Sequence, residues 1–266
     1  MTEIRINSPL QVTEDGSIVF RGVMENPIKK HPDGSIEGLT VTGQKIICDY
    51  DLNGSFELLF RNKLALLQEH QKYLSPQLRE SIGYFCNALR QIANLNRNSH
   101  KHTRKTDNLL RTILYANVIT ALESFFSDYL IGYILIDDIV LNNLGKNYES
   151  FKSEKYSLRE LIAESKNAKE LAIEKLKETV FHNLNTVKSI YTAAFGIYFP
   201  KFSGLAKAIE NRHDIVHRNG YKKDAKEVEE YSKDDVLTLL IEAETFVLGV
   251  LEEIKKTMPK AANELG

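Results

Sequence analysis

The stretch Ser75-Pro76-Gln77-Leu78-Arg79-Glu80-Ser81-Ile82-Gly83-Tyr84-Phe85-Cys86-Asn87-Ala88-Leu89-Arg90-Gln91-Ile92-Ala93-Asn94-Leu95-Asn96 decides how this chain folds. Ser75 is a good N-cap residue, and Pro76 suits the first helical position, where its missing N–H costs nothing. Leu78, Ile82, Phe85, Leu89, Ile92 and Asn96 then recur at steps of four and three, the repeat of a helix with one buried face. The spacing predicts one long amphipathic helix.

Outward from this stretch the chain changes character near residue 61. Before it, runs rich in β-branched and aromatic residues, such as Ser17-Ile18-Val19-Phe20 and Lys45-Ile46-Ile47-Cys48, alternate with turn signals at Pro32-Asp33-Gly34 and Asn53-Gly54. These predict a small antiparallel sheet of four or five strands. After it glycine thins out and the apolar spacing is helical. A basic, polar stretch from Arg97 to Lys105, which includes His100-Lys101-His102, reads as a linker, and a densely apolar helix follows from Asp107 to about Asp138. Ser157-Leu158-Arg159-Glu160 has the form of a capping box, and residues 173–198 are expected to be largely helical. Ser203 is placed to cap a further helix. A last helix starts at Ser232, with Val236, Leu239, Leu240, Ala243, Val247, Val250 and Ile254 on one face. The expected fold class is α+β, mainly α: a small β-rich domain at 1–60, connecting helices and a basic linker at 61–105, and a helical bundle at 106–266.

Composition narrows the functional classes. A chain of 266 residues, 42% hydrophobic and 27% charged, is built like an ordinary soluble globule. Its net charge of -1 argues against a protein that coats nucleic acid by bulk electrostatics, so any such contact rests on a local basic patch. Cys48 and Cys86 are the only cysteines, which suggests reduced thiols in a cytoplasmic protein and no disulfide framework. No stretch reads as the ~20 apolar residues of a membrane span, so no membrane partner is expected.

The chemistry concentrates in Glu210-Asn211-Arg212-His213-Asp214-Ile215-Val216-His217-Arg218-Asn219-Gly220. Arginine stays charged at any accessible pH and its fork matches phosphate oxygens. Histidine titrates near neutrality and serves as general base or acid. That pairing suits cleavage of a phosphodiester.

Arg212-His213-Asp214-Ile215-Val216-His217, an arginine followed by a polar residue, three more residues and a histidine, resembles the signature of the HEPN superfamily. Arg218-Asn219-Gly220 and the upstream Phe195-Gly196-Ile197-Tyr198-Phe199-Pro200 further resemble its RiboL-PSP-like subgroup. The resemblance runs from about Asp107 to Thr257. It implies a helical, dimeric domain. Catalytic members are metal-independent endoribonucleases of toxin, antiphage and RNA-processing systems, so it also implies RNA as substrate, no cofactor, and an antitoxin or defence-system partner. His213 fills the polar position after the arginine, where the family has Asn, Asp or His. Glu123, within Ala121-Leu122-Glu123-Ser124-Phe125, resembles a recurrent acidic position and is expected to line the site.

Helix geometry sharpens the motif. At about 100° per residue, Leu205, Ile209, Arg212 and Val216 form one stripe, and Ala206, Glu210, His213 and His217 the next. A cation in an apolar stripe needs a counter-charge or a wet cleft shared with a partner. A twofold axis near this helix would bring each Arg212 and His217 close to its symmetry mate. His217 would then take the proton of a ribose 2′-hydroxyl, Arg212 would stabilise charge on the phosphate, and His213 would orient the reacting groups. Glu210 and Asp214 line the site, with Asp214 pairing Arg218 at i,i+4. Arg218, Asn219, Tyr221, Lys222 and Lys223 form the expected RNA-contacting surface, together with the basic linker.

Three other readings stand beside this one. An Arg and a His near a helix end also complement the helix dipole and its last carbonyls. Glu210-x-x-His213 has the form of half a carboxylate-bridged metal site, but such sites need the element twice and the chain carries one copy. The non-enzymatic alternative is a helical interaction module, antitoxin-like or scaffolding, in which the motif only shapes an interface.

Overall fold

The computed structural model describes residues 52–72, 74–98, 103–153, 167–179, 181, 183–218 and 229–258, with short strand segments between 4 and 48. From Leu52 on, helix accounts for 86% of the described residues and none is in a strand. The fold class is therefore mainly α. The α+β expectation is corrected, because the small N-terminal antiparallel β segment is not seen in this part. Before Leu52 the described backbone consists of segments of two to four residues, of which Ile18–Phe20 runs parallel to Lys45–Cys48 while the other pairings among the described residues are antiparallel. β-Branched runs report a preference for extended backbone but do not fix which neighbour each segment meets, or in which direction.

The helices are α1 (Leu52–Gln71), α2 (Pro76–Asn98), α3 (Arg104–Ile136), α4 (Asp138–Asn147), α5 (Glu149–Lys152), α6 (Ala168–Lys177), α7 (Leu184–Phe195), α8 (Ser203–Arg218) and α9 (Lys233–Thr257). Asn53-Gly54, read above as a turn, falls in the first turn of α1. There the backbone N–H groups need no helical acceptor and a flexible glycine costs little. The chain divides into two compact units, Met1–Ala65 and Leu66–Gly266. The second unit holds the motif.

In that unit α2 packs against α3, and α8 and α9 also pack on α3. All six positions of the opening repeat are buried, Asn96 included. Its side chain spends its burial on a hydrogen bond to the Lys233 carbonyl at 2.8 Å, which ties the end of α2 to the start of α9. Helix α3 starts earlier than expected, at Arg104, because Thr103 caps it by accepting from the Thr106 N–H. By length and composition α3 could cross a membrane, contrary to the expectation that no stretch could. Half of its most apolar window is buried within the protein.

The core of the unit is aromatic. Phe126 of α3 meets Tyr191 of α7, Phe199, and Phe246 of α9 in tilted and edge-to-face pairs with ring centroids 5.2, 6.2 and 5.6 Å apart, while Phe125 lies against Phe126 and Tyr129 on its own helix. The Tyr191 hydroxyl, fully buried, donates to the Phe126 carbonyl at 2.7 Å. Gly196 ends α7 with φ of 67°, and the extended strip after it buries Ile197 and Phe199 while Tyr198 points to solvent. Pro200 then closes on Gly249 of α9, where a Cβ would lie 3.3 Å from the proline ring.

Ser232 caps α9 in a reciprocal box with Asp235, and the predicted apolar face of α9 is buried throughout. Residues 173–198 split into the end of α6 and all of α7, with Asn183 capping the latter. Helix α8 begins at Ser203 itself. The first helical bond runs from the Ala206 N–H to the Phe202 carbonyl at 3.0 Å, so Ser203 stands inside the first turn and not at the cap. The proposed capping box at 157–160, the turn at 32–34 and the linker residues 99–102 lie outside the described residues.

Candidate functional site

Helix α8 carries Glu210, Asn211, Arg212, His213, Asp214, His217 and Arg218 in its last three turns. Its buried residues are Leu205, Ala208 and Asn211, at steps of three. That arc is rotated by about 60° from the stripe drawn through Leu205, Ile209, Arg212 and Val216. Val216 is accordingly 51% exposed, and Arg212 lies at the margin of the core instead of within it. The apolar pattern misled because the inner place falls to Asn211, a polar residue outside the stripe drawn from the sequence.

Asn211 is the residue that sequence reasoning missed. It hydrogen-bonds the Tyr115 hydroxyl of α3, and Tyr115 stacks on Tyr231 with ring centroids 4.1 Å apart. Burial pushes the Tyr115 phenol up to about 12, with the Asn211 bond opposing. A period of three through Leu205 and Ala208 would have pointed to it. With this amide turned inward, the charged side chains of α8 lie at the margin of the core and on its exposed side.

Arg212 meets Glu123 of α3, Nη2 to Oε2, at 3.5 Å; the two side chains are 16% and 18% exposed. Glu123, expected to line the site from its resemblance alone, is thus in contact with the motif arginine. Burial raises the pKa of its carboxyl above the usual carboxylate range, and the Arg212 charge opposes that rise. The Arg212 Nε is buried with no hydrogen-bond partner among the described residues. One N–H of the fork is therefore unspent at this margin of the core.

His213 and His217 stand one turn apart on the exposed side of α8, ring centroids 4.6 Å apart. Arg212 and His217 are separated by about 140° around the helix axis, so a single α8 does not aim both at one point. Asp214 pairs with Arg218, as their spacing requires, which ties down one of the expected RNA-contacting cations. Glu210 is exposed and takes Lys207 at 3.4 Å. Asn219, Tyr221, Lys222 and Lys223 lie outside the described residues. Among the described residues no group of three His, Cys, Asp or Glu is placed to hold a metal ion, so Glu210 and His213 find no further ligands there.

At the start of α8, Gly204 allows the Glu242 carboxylate of α9 to close in, where a Cβ would meet its oxygens at 2.9 and 3.0 Å. A carboxylate against the first turn complements the positive end of the helix dipole. Along the outer flank of α8, between it and the start of α7, runs an open groove of about 640 Å³. Its lining includes Phe202, Ile209, Glu210, His213 and Asp214, with Asn185 contributed by α7.

No protein family, curated protein or solved structure matches this chain.

Proposed function

We propose that the protein is a metal-independent endoribonuclease of HEPN type, acting at a composite site formed by two copies of α8, in a toxin or antiphage role. The observation that carries this reading is Arg212, anchored by Glu123 at the margin of the core, on the same helix as the exposed His213 and His217. Glu123 holds the guanidinium in a fixed direction and still leaves it donors for non-bridging phosphate oxygens. His217 removes the 2′-hydroxyl proton, the freed oxygen attacks the adjacent phosphorus, and the 5′-oxygen of the next nucleotide leaves with a proton from a second imidazole. The products are a 2′,3′-cyclic phosphate and a 5′-hydroxyl. DNA has no 2′-hydroxyl and survives. The angle between Arg212 and His217 on one helix is the reason for drawing the second copy into the site.

The test is incubation of labelled RNA with wild type, Arg212→Ala and His217→Ala in excess EDTA. Cleavage by wild type, with each variant slowed by about a hundredfold or more, is the expected result for loss of a charge stabiliser or a general base. Equal cleavage by all three would place the activity elsewhere. A folded wild type that cuts none of a broad RNA set would favour the non-catalytic interaction module.

A further inference from the structure

The groove beside α8 has a chemistry distinct from that of the Arg212 margin. Its volume of about 640 Å³ is within the range that takes a small organic ring system. One wall is apolar: Phe202, half-buried and backed by Phe199 and Phe246, stands with Ile209 and Leu184. The polar lining sets two carboxylates, Glu210 and Asp214, against the single guanidinium of Arg218, which Asp214 already engages. With Arg218 engaged by Asp214 and Lys207 by Glu210, no lysine or arginine among the described lining residues is left to hold a phosphate, so an RNA backbone is not what the groove accepts. An aromatic ring bearing N–H donors satisfies both halves of the lining, its faces against Phe202 and Ile209 and its donors toward a carboxylate.

Among the bases guanine fits best. Its N1–H and N2 amino group lie side by side and match the two oxygens of one carboxylate, whereas cytosine and adenine offer an amino group beside an acceptor and uracil an imino group between two carbonyls. Asp214 is tied to Arg218. Glu210 uses Oε2 on Lys207 in a long, exposed pair that a better-matched donor can displace. The exposed Asn185 side chain on the α7 wall supplies an amide donor for the guanine O6. His213 lines the same groove and adjoins His217, so a base seated there lies next to the proposed cleavage point.

We propose that this groove is a base-recognition subsite that selects guanine through Glu210, placing the cleaved bond beside a guanosine. The proposal rests on the nuclease reading for its biological meaning, but its binding step does not require cleavage. The probes are fluorescein-labelled 2′-O-methyl pentanucleotides, all-uridine or with guanosine, adenosine or cytidine at the centre, titrated onto the full chain and followed by anisotropy. Because they lack a free 2′-hydroxyl they cannot be cut by the proposed route. The guanosine probe is expected to bind about tenfold or more tighter than the uridine probe, the scale of one paired base edge. Glu210→Gln is expected to erase most of that preference, while Lys207→Ala keeps it. Circular dichroism confirms that both variants are folded. Equal binding of all four probes, binding of none, or a guanine preference undiminished in Glu210→Gln would overturn the proposal. Guanine preference in a protein that cuts no RNA would sink the nuclease reading alone, and cleavage without the preference would sink the subsite alone.

Discussion

Glu123 shows what a part-buried carboxylate costs and what it supplies. Its pKa is raised because burial disfavours the ionised form more than Arg212 favours it. Between the ordinary carboxylate value and the raised one, the folded protein holds a proton that the unfolded chain has released. Stability from this group is thus fully present at acid pH and is lost as pH rises through the raised value. Glu123→Gln has no such proton to lose. The stability of wild type relative to Glu123→Gln should therefore be greatest at about pH 4 and should decline toward neutrality. Urea midpoints of both proteins across that range check this; a difference that is flat, or that grows with pH, would contradict the assigned direction. At neutral pH the ionised carboxylate is kept at some cost to stability, and in return Arg212 has a fixed direction. The contact itself could not be read from spacing, since 89 positions separate the partners. Only the acidic residue's place in a recurrent helix pattern singled it out.

At the scale of elements, periodicity was a sound guide where both the apolar and the small polar positions obeyed it. Helices α2 and α9 bury the faces their repeats predicted, and the caps at Ser232 and Thr103 are local devices visible in a few residues. Helix α8 departs because one amide, Asn211, is turned inward by a hydrogen bond to Tyr115, a partner on another helix. Gly196 gives a clean test of an element boundary. Its φ of 67° is left-handed, and a Cβ there would meet nothing within 4 Å. Gly196→Ala should therefore cost only the backbone strain, about 1–2 kcal/mol, with the urea m-value unchanged. A loss far above that would mean the glycine also serves packing, and no loss would mean that α7 can end elsewhere.

At the scale of the molecule, the nuclease reading needs a partner, and Val216 offers a way to ask for it. It is an apolar residue half exposed on α8, one turn beyond Arg212. Val216→Glu buries nothing in a single chain, so its effect on the stability of a monomer should stay within about 0.5 kcal/mol. If α8 meets its symmetry mate, two glutamates would face each other across the axis. Sedimentation should then show wild type at twice the chain mass and the variant at the chain mass, and RNA cleavage should disappear with the dimer. A variant that stays dimeric, or a wild type that is monomeric while cutting RNA, would remove the composite site.

The span between Glu123 and Arg212 has a consequence for how the protein is made. Chains are synthesised from the N-terminus, and α3 leaves the ribosome well before α8, which in turn packs against the later α9. Until α8 has emerged and docked on α3, Glu123 and Arg212 are unpaired with each other, and the packing of α8 on α9 comes later still. A nascent chain therefore carries the motif before its part-buried contact with Glu123 is complete, and on the nuclease reading the message that encodes it would be translated before a working site exists.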